Sequence, residues 1–475
     1  MRAHDCRLLI PALSMWIAAT IPIEGQSYVL GIALVTLLVS LVLSKYPSSI
    51  VPSMVIASVC TLCTCATTYS YALAPSHQLI DKAISGNMTI RVSGIINSYP
   101  ISKNGGCDFI LTTSSAVVSG TTYQYRYRLH AHVATSSCPN RFDAIQTRGH
   151  LQQNNYAERS DAQLQAHAIT VTYPANGWNH YVNRVHDALM DYAHSTVNHH
   201  DSLIPGVAVG DDSRLPPDMK RDMRNLGLSH LTAVSGSHIS LMIGLVLLLI
   251  GKRRPLLTGT TAALAVYLLT TLVSPEPSVS RAVIMGMLFC LGLGQRYTAS
   301  AMPLLSITVM AVSLLQPSLV RSLGFQLSVV AVAAIVIGSG YIHSILSALI
   351  PPFLADAIGI PFLAGVATAP LLVTIQDSLS VWTILANALI APVVAPLTIL
   401  GLAGGLLAPI MPIVGTVLFS CAGICTWWMN IVVHMFPSVE YSPIVTVVIN
   451  AVALGIIIFL LFRYRPSDQR SLGRG

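Results

Sequence analysis

The sequence predicts a polytopic α-helical membrane protein of about 12 spans, both termini cytoplasmic, with an external small β-barrel inserted between the third and fourth spans. Three observations predict it. Hydrophobic residues make up 53% of the 475 and charged residues only 9%, against about 25% charged in ordinary soluble domains. Apolar segments of roughly 18 residues or more follow one another. Between them lies one long polar stretch, near 75–229, whose first part alternates like strands and whose second part repeats like helices.

The spans are expected near 8–23, 27–43, 50–73, 230–250, 256–273, 279–294, 299–315, 323–340, 357–375, 379–406, 411–435 and 442–462. The first is not expected to be a cleaved leader, because a second apolar run follows at once and no small-x-small cleavage site precedes a soluble region. Arg2, Arg7, Lys45, Lys252 to Arg254, Arg296, Arg463 and Arg465 fall on one side of this scheme, which makes that side cytoplasmic. Arg321 is the dissenter. Five units follow: membrane spans over 1–74, an external β domain over 75–177, a bridge of interfacial helices over 178–229, a membrane domain over 230–462 and a basic tail over 463–475.

In the β domain, strands are expected at 89–97, 107–118, 123–134, 143–150 and 166–173, punctuated by Gly94, Gly105-Gly106, Gly120 and the turn at 137–140. Five short strands in about 100 residues suit a barrel of the OB type. In YQYRYRLHAHVAT, Tyr123, Tyr125, Tyr127, Leu129, Ala131 and Val133 share one face, and Arg126, Arg128, His130 and His132 the other. Either the basic face is merely solvated or it meets a polyanion. Tyr125, Arg126, Tyr127 and Arg128 are the candidates for the second reading. Cys107 and Cys138 are the only cysteine pair in the external segment, where a disulfide persists, so they are expected to be joined. Cys60, Cys63 and Cys65 lie in a lipid-embedded strip without His or acidic partners and make poor metal ligands.

In the bridge, His186 and His194 stand two helical turns apart, which suits a solvated amphipathic helix better than a shared metal. Leu215, Met219, Met223 and Leu226 recur with helical period opposite Lys220, Arg221 and Arg224, and Gly227 ends the pattern. This helix lies on the surface and feeds the chain into the membrane at 230.

Polar groups inside spans cost free energy unless they face protein, water or a substrate. Three such sets stand out. One is NLGLSHLTAVSGSHISLMIG at 225–244, with His230, Ser235, Gly236, Ser237 and His238. Another is PEPSVSRAVIMG at 275–286, whose Arg281 costs about 2.5–3.5 kcal/mol at a bilayer centre. The third joins Gln326 in GFQLSVVAV to Gln376, Asp377 and Asn387 in 374–396.

Together these motifs resemble the ComEC/Rec2 competence family of DNA-import channels, over about 200–400. The Gly210-Asp211 pair, the interfacial helix, GLSHLTAVSGSHISL, PSVSRAVIM, GFQLSVVA and LANALIAPVV stand in the family's order. The barrel is similar to the family's external domain, although NNYAERSDAQLQAHAI departs from the segment common there. The resemblance implies conduction of single-stranded DNA into the cytoplasm during natural transformation, across the cell membrane. Its partners would be single-stranded DNA, a DNA receptor and a cytoplasmic helicase-like ATPase that pulls the strand. No His-x-His-x-Asp-His motif occurs and only Arg463–Gly475 follows the last apolar run, so strand degradation is expected of a separate nuclease. No Walker motif occurs either, since Gly251-Lys252 precedes Arg. No cofactor and no metal are expected.

On this reading Asp211, His230, Ser235, Gly236, Ser237, His238, Arg281, Gln326 and Asn387 line or shape the path. Rival classes are a small-solute transporter, which would show related halves, and an intramembrane hydrolase using Ser235. The hydrolase needs a histidine on another helix, and only His343 and His434 follow the motif. His230 and His238 as metal ligands lack an acid or thiol to complete a sphere.

Overall fold

The computed structural model describes residues 8–21, 26–43, 51–72 and 83–436 with isolated positions at 449, 452, 456 and 459. Within 83–436 it omits 86–87, 104, 119–120, 125–126, 136, 153–161, 197–198, 233–235, 252, 274–276, 296–300, 349–350, 373–379 and 381. The expected span at 442–462 and the basic tail therefore lie outside the described residues, as do Gln376 and Asp377.

The fold is mostly helical. Helices α1 (Leu9–Thr20), α2 (Gln26–Leu43) and α3 (Val51–Ala72) are apolar helices standing where the first three spans are expected. After the barrel and bridge come α7 (Gly236–Ile250), α8 (Pro255–Leu272), α9 (Pro277–Gly294), α10 (Ala301–Leu315), α11 (Leu323–Leu346), α12 (Pro352–Leu372), α13 (Thr383–Leu407) and α14 (Pro412–Met435). Among the described residues five helices are long and apolar enough to cross a membrane: Pro255–Leu272, Leu323–Leu346, Ala355–Leu372, Leu385–Leu407 and Pro412–Met435. Their starts follow helix chemistry. Pro255 and Pro412 open α8 and α14 where a missing N–H is harmless, and Ser322 caps α11 by accepting from the amide of Phe325. Arg321, the dissenter from the charge rule, has a local task. Its Nε and Nη2 donate to the carbonyls of Ala19 and Ile21 at 2.8 and 3.1 Å, where α1 ends with unpaired acceptors.

The inserted domain is a closed five-stranded barrel. Its staves are β1 (Thr89–Ile96), β3 (Gly106–Val118), β5 (Arg128–Val133), β6 (Ala144–Gln152) and β7 (Ala162–Tyr173). Around the barrel the order is β1, β6, β7, β5, β3 and back to β1, with β5 and β7 parallel and the other neighbours antiparallel. Two short strands, β2 (Ile101–Lys103) and β4 (Thr121–Tyr123), extend β3. The alternating pattern puts Ile90, Val92, Phe109, Leu111, Leu129, Ala131, Val133 and Leu164 inside. Each large side chain so buried contributes about 1.5–3 kcal/mol. Cys107 and Cys138 are joined, tying the start of β3 to the loop after β5.

Two expectations about the barrel change. Gly94, read as a turn signal, sits inside β1 at a bulge where a Cβ would lie 2.3 Å from the carbonyl of Thr112. The stretch 123–134 is no single strand. Tyr123 pairs with Ala116 and Arg128 with Thr112, so the second strand holds one residue more than its partner between those rungs. The extra residue breaks the ladder between β4 and β5.

The bridge holds α4 (Gly177–Ser195), a 3-10 turn (His199–Ser202), α5 (Leu203–Val209) and α6 (Pro217–Asn225). The surface helix is present as α6, with Met219 and Met223 buried and Arg221 and Arg224 exposed. Helix α5 departs from the interfacial expectation. All seven of its residues are buried, because LIPGVAV offers no polar face and packs between α13 and the start of α7. Gly210, at φ 80°, turns the chain out of it.

Candidate polar site at the barrel end of the helices

Gly236, Ser237 and His238 open α7, which packs against α8 and α9 and is bonded to the end of α5. Gly236 packs on α9: a Cβ built there would be 3.5 Å from Arg281 Nη2 and 3.8 Å from the Ala282 methyl. A Cβ at this position would touch the guanidinium at ordinary van der Waals distance. Arg281 is only 4% exposed. Its Nε has no hydrogen-bond partner, and Nη1 reaches nothing better than Met285 Sδ at 4.0 Å. No carboxylate among the described residues pairs with it. Beside it, buried His238 donates from Nε2 to the Val207 carbonyl at 2.7 Å, an acceptor in the last turn of α5 that has no helical partner. His238 thereby fixes the start of α7 to the end of α5, and Thr232 rests against Gly206 of α5.

A sequence profile of the family described as Competence protein matches residues 207–466, more than half of the chain and the region that holds the end of α5, the SGSH sequence and Arg281. The chain belongs to the ComEC/Rec2 competence family. No curated protein and no solved structure gives a significant match. Membership makes it a membrane protein that handles DNA in competence, of a family that generally transports rather than catalyses.

The family domain begins beside a second polar cluster, which joins it to the barrel. Tyr99, buried in the link after β1, stacks on His186 of α4 with centroids 3.6 Å apart and planes 8° apart. Its hydroxyl donates to the Leu272 carbonyl at the end of α8, at 2.8 Å. Arg141 also lies over the Tyr99 ring, 4.7 Å from its centre, and 4.5 Å from that of Phe142. His186 Nε2 donates to Asp211 Oδ2 at 2.7 Å, and the amide of Ser213 donates to Asp211 Oδ1 at 2.9 Å. Asn183 donates to the Arg141 carbonyl at 2.7 Å. One helix, α4, thus holds the barrel through its middle and the Gly210-Asp211 turn through His186.

Burial alone would push the Asp211 carboxyl up and the His186 imidazole down. For Asp211, the bond and charge of His186 and the bonds from Ser213 outweigh burial and hold it below its ordinary value. For His186, the bonds and charges of Asp187 and Asp211 outweigh burial and hold it above. Each partner therefore favours the charged form of the other. Burial also pushes the Tyr99 phenol up, so it stays a donor.

The other expected residues disperse. His230 is exposed and donates back to the Gly227 carbonyl at 2.9 Å. Half-buried Gln326 reaches the Arg321 carbonyl at 3.3 Å at the start of its own helix, and Asn387 donates to Thr383 at 2.8 Å. Ser235 lies outside the described residues, as does the side chain of Ser237. His343 is held by Asp356 at 2.7 Å and His434 by the Asn430 carbonyl at 2.8 Å. On the barrel, Arg128 is exposed, while Tyr125 and Arg126 lie outside the described residues. Tyr127 is a correction. It is 4% exposed in the barrel core, as its face with Leu129 and Ala131 requires, so its ring is not offered to a base.

Sequence reasoning missed Tyr99, Arg141 and His186. A lone tyrosine in a link and an arginine among others carry no pattern. His186 stood on the buried side of α4 with Val182, Val185 and Leu189, a signal the helical period contained. Buried Asp201 was also passed over. It accepts from Thr426 at 3.0 Å, and His200 Nδ1 lies 3.1 Å from it and 3.2 Å from Thr426. One ring nitrogen faces both groups, whereas a nucleophile relay needs one nitrogen for each.

Proposed function

We propose that the chain conducts single-stranded DNA across the cell membrane during natural transformation, with α7 and α9 forming part of the path. Arg281 carries this reading. A guanidinium that is buried, without a carboxylate among the described residues and faced by a glycine rather than a side chain is a fixed cation suited to a mobile anion. A phosphodiester supplies one at every nucleotide. One such cation, with neutral polar groups around it, binds weakly enough for the strand to leave. His238 and Asp211 act as positioning groups: the first holds α7 to α5 and the second holds the turn after α5 to α4. His230, Ser235, Ser237 and Gln326 supply neutral hydrogen bonds along the path, and Asn387 of α13 supplies one at its mouth.

The barrel, read as an OB-type domain from its strand order and its parallel β5–β7 pair, receives DNA outside through the basic face of Arg126 and Arg128, with Tyr125 available for stacking. A DNA receptor delivers the strand, a helicase-like ATPase draws it in, and a separate nuclease removes its complement. A buried cation with no carboxylate among the described residues favours this over a small-solute transporter, whose central charges are matched to one bound solute.

The test is uptake of labelled DNA in cells carrying Arg281→Gln or Arg281→Lys. The expected result is DNA bound at the surface with nuclease-protected DNA reduced at least about 10-fold for the glutamine variant, and partial recovery with lysine. A tenfold effect corresponds to about 1.4 kcal/mol. Normal protected uptake with Arg281→Gln, at normal protein level, overturns the role of Arg281. Normal uptake on deletion of the whole gene overturns the channel.

A further inference from the structure

Helices α13 and α14 pair as an antiparallel hairpin, and length and apolarity alone would make them two spans. Their tethers say otherwise. A 24-residue helix is about 36 Å long, and a bilayer core about 30 Å thick, so a hairpin standing across the membrane has its two ends at opposite surfaces.

The turn of the hairpin is held by α4. Tyr181 donates to the Leu406 carbonyl, and exposed Arg184 donates to the Pro409 carbonyl at 2.6 Å. The same helix carries Trp178, bonded to Thr271 at 3.0 Å, and His186, stacked on barrel residue Tyr99. So the turn lies at the barrel end.

The open end of the hairpin is closed by Trp382 stacked on Phe436, with centroids 5.5 Å apart. It is held by Gly227, whose Cβ position lies 2.7 Å from Thr383 Cγ2. Gly227 follows α6, which touches α14 and whose Asp218, Arg221 and Arg224 are exposed. Lys220 of α6 pairs with Asp212 at 2.7 Å, next to the Asp211 that His186 holds. Nine residues beyond Gly227, Gly236 stands beside Arg281 in the opening turns of α9. So the open end is tied to the same charged, water-facing bridge.

Along its length, α14 turns Gly415, Phe419, Ala422, Thr426, Met429 and Val433 inward at three- and four-residue spacing. The opposite stripe of Ile413, Val417, Ile424, Trp427 and Met435 is exposed, Ile413 by 81%, with no charge on the helix. We propose that the α13–α14 hairpin does not cross the bilayer but lies along the barrel-side leaflet, its exposed stripe docked on the acyl chains of that leaflet. Apolar chains are the occupant because the stripe has no charge to match a protein or headgroup, and Trp427 suits the interface. The path across the membrane then belongs to other helices, with the hairpin and bridge as a rim around its barrel end. That the barrel side is the outer side rests on the channel reading.

The test uses single cysteines in the full chain, in a background without the native unpaired cysteines: Ile410→Cys at the turn and His434→Cys near the open end, both exposed. Met411→Cys and Trp382→Cys form a second pair should the first accumulate poorly, and Thr121→Cys reports the barrel. Intact and permeabilised cells receive a membrane-impermeant maleimide. Turn and open end labelling from the same side supports the proposal, and opposite sides overturn it. If both label with the barrel reporter only after permeabilisation, the hairpin stands and the orientation of the channel reading falls.

Discussion

His186 and Asp211 show how a single pair can fix two domains and make their joint depend on pH. His186 is held above its ordinary value, so its contribution is complete below about pH 6.5 and is lost as pH rises through the raised value. Asp211 is held below its ordinary value, so its contribution is complete above about pH 4 and is lost as pH falls through the depressed value. Both are complete only between those limits. Purified full-length protein in detergent should melt highest between about pH 4 and 6.5, and Asp211→Asn should lower stability there by about 2 kcal/mol while flattening the pH profile. An unchanged profile would show that the pair is not what ties the joint. Asp211 was legible in the sequence through its place after Gly210 in the family motif. The helical period marked His186 as facing inward, but not what it meets, because Asp211 lies 25 residues away and Tyr99 87 residues away.

At the scale of elements, the strands and helices were legible to the extent that their residues act locally. The alternation of Leu129, Ala131 and Val133 marked a core face, and the apolar runs marked helices. What alternation cannot show is a partner's register. The bulge at Gly94 and the break between β4 and β5 arise from pairing with β3, which no local pattern records. Gly149 shows the same limit from inside β6, where a Cβ would lie 2.0 Å from the Gln165 carbonyl. Gly149→Ala must push β6 and β7 apart and should cost on the order of 3 kcal/mol, read as a lower melting temperature of the intact protein. The disulfide is an independent clamp. Cys107 and Cys138 close a loop of 31 residues, so Cys138→Ser should lower stability by about 4 kcal/mol on loop-closure grounds, and reductant should have no further effect on that variant.

At the scale of the whole molecule, a closed barrel, a charged bridge and a helical domain stand in series, and conduction needs them to hold DNA with graded strength. Among the described residues of the membrane domain Arg281 is a buried cation, whereas exposed Arg128 opens β5 on the barrel and Arg126 precedes it by two residues in the sequence. DNA capture by phosphate neutralisation releases counterions, so the logarithm of affinity falls with the logarithm of salt at about 0.7 per contact for a single strand. Replacing Arg126 and Arg128 by alanine in the full-length protein should therefore weaken single-strand binding at low salt and reduce the salt slope by about 1.4. Tyr127→Phe in the barrel core should leave the slope unchanged, because the buried ring meets no phosphate. An unaltered slope in the double variant would assign those arginines to a solvated face and move DNA capture to α6, whose exposed Arg221 and Arg224 face the same side of the bridge as its paired Lys220.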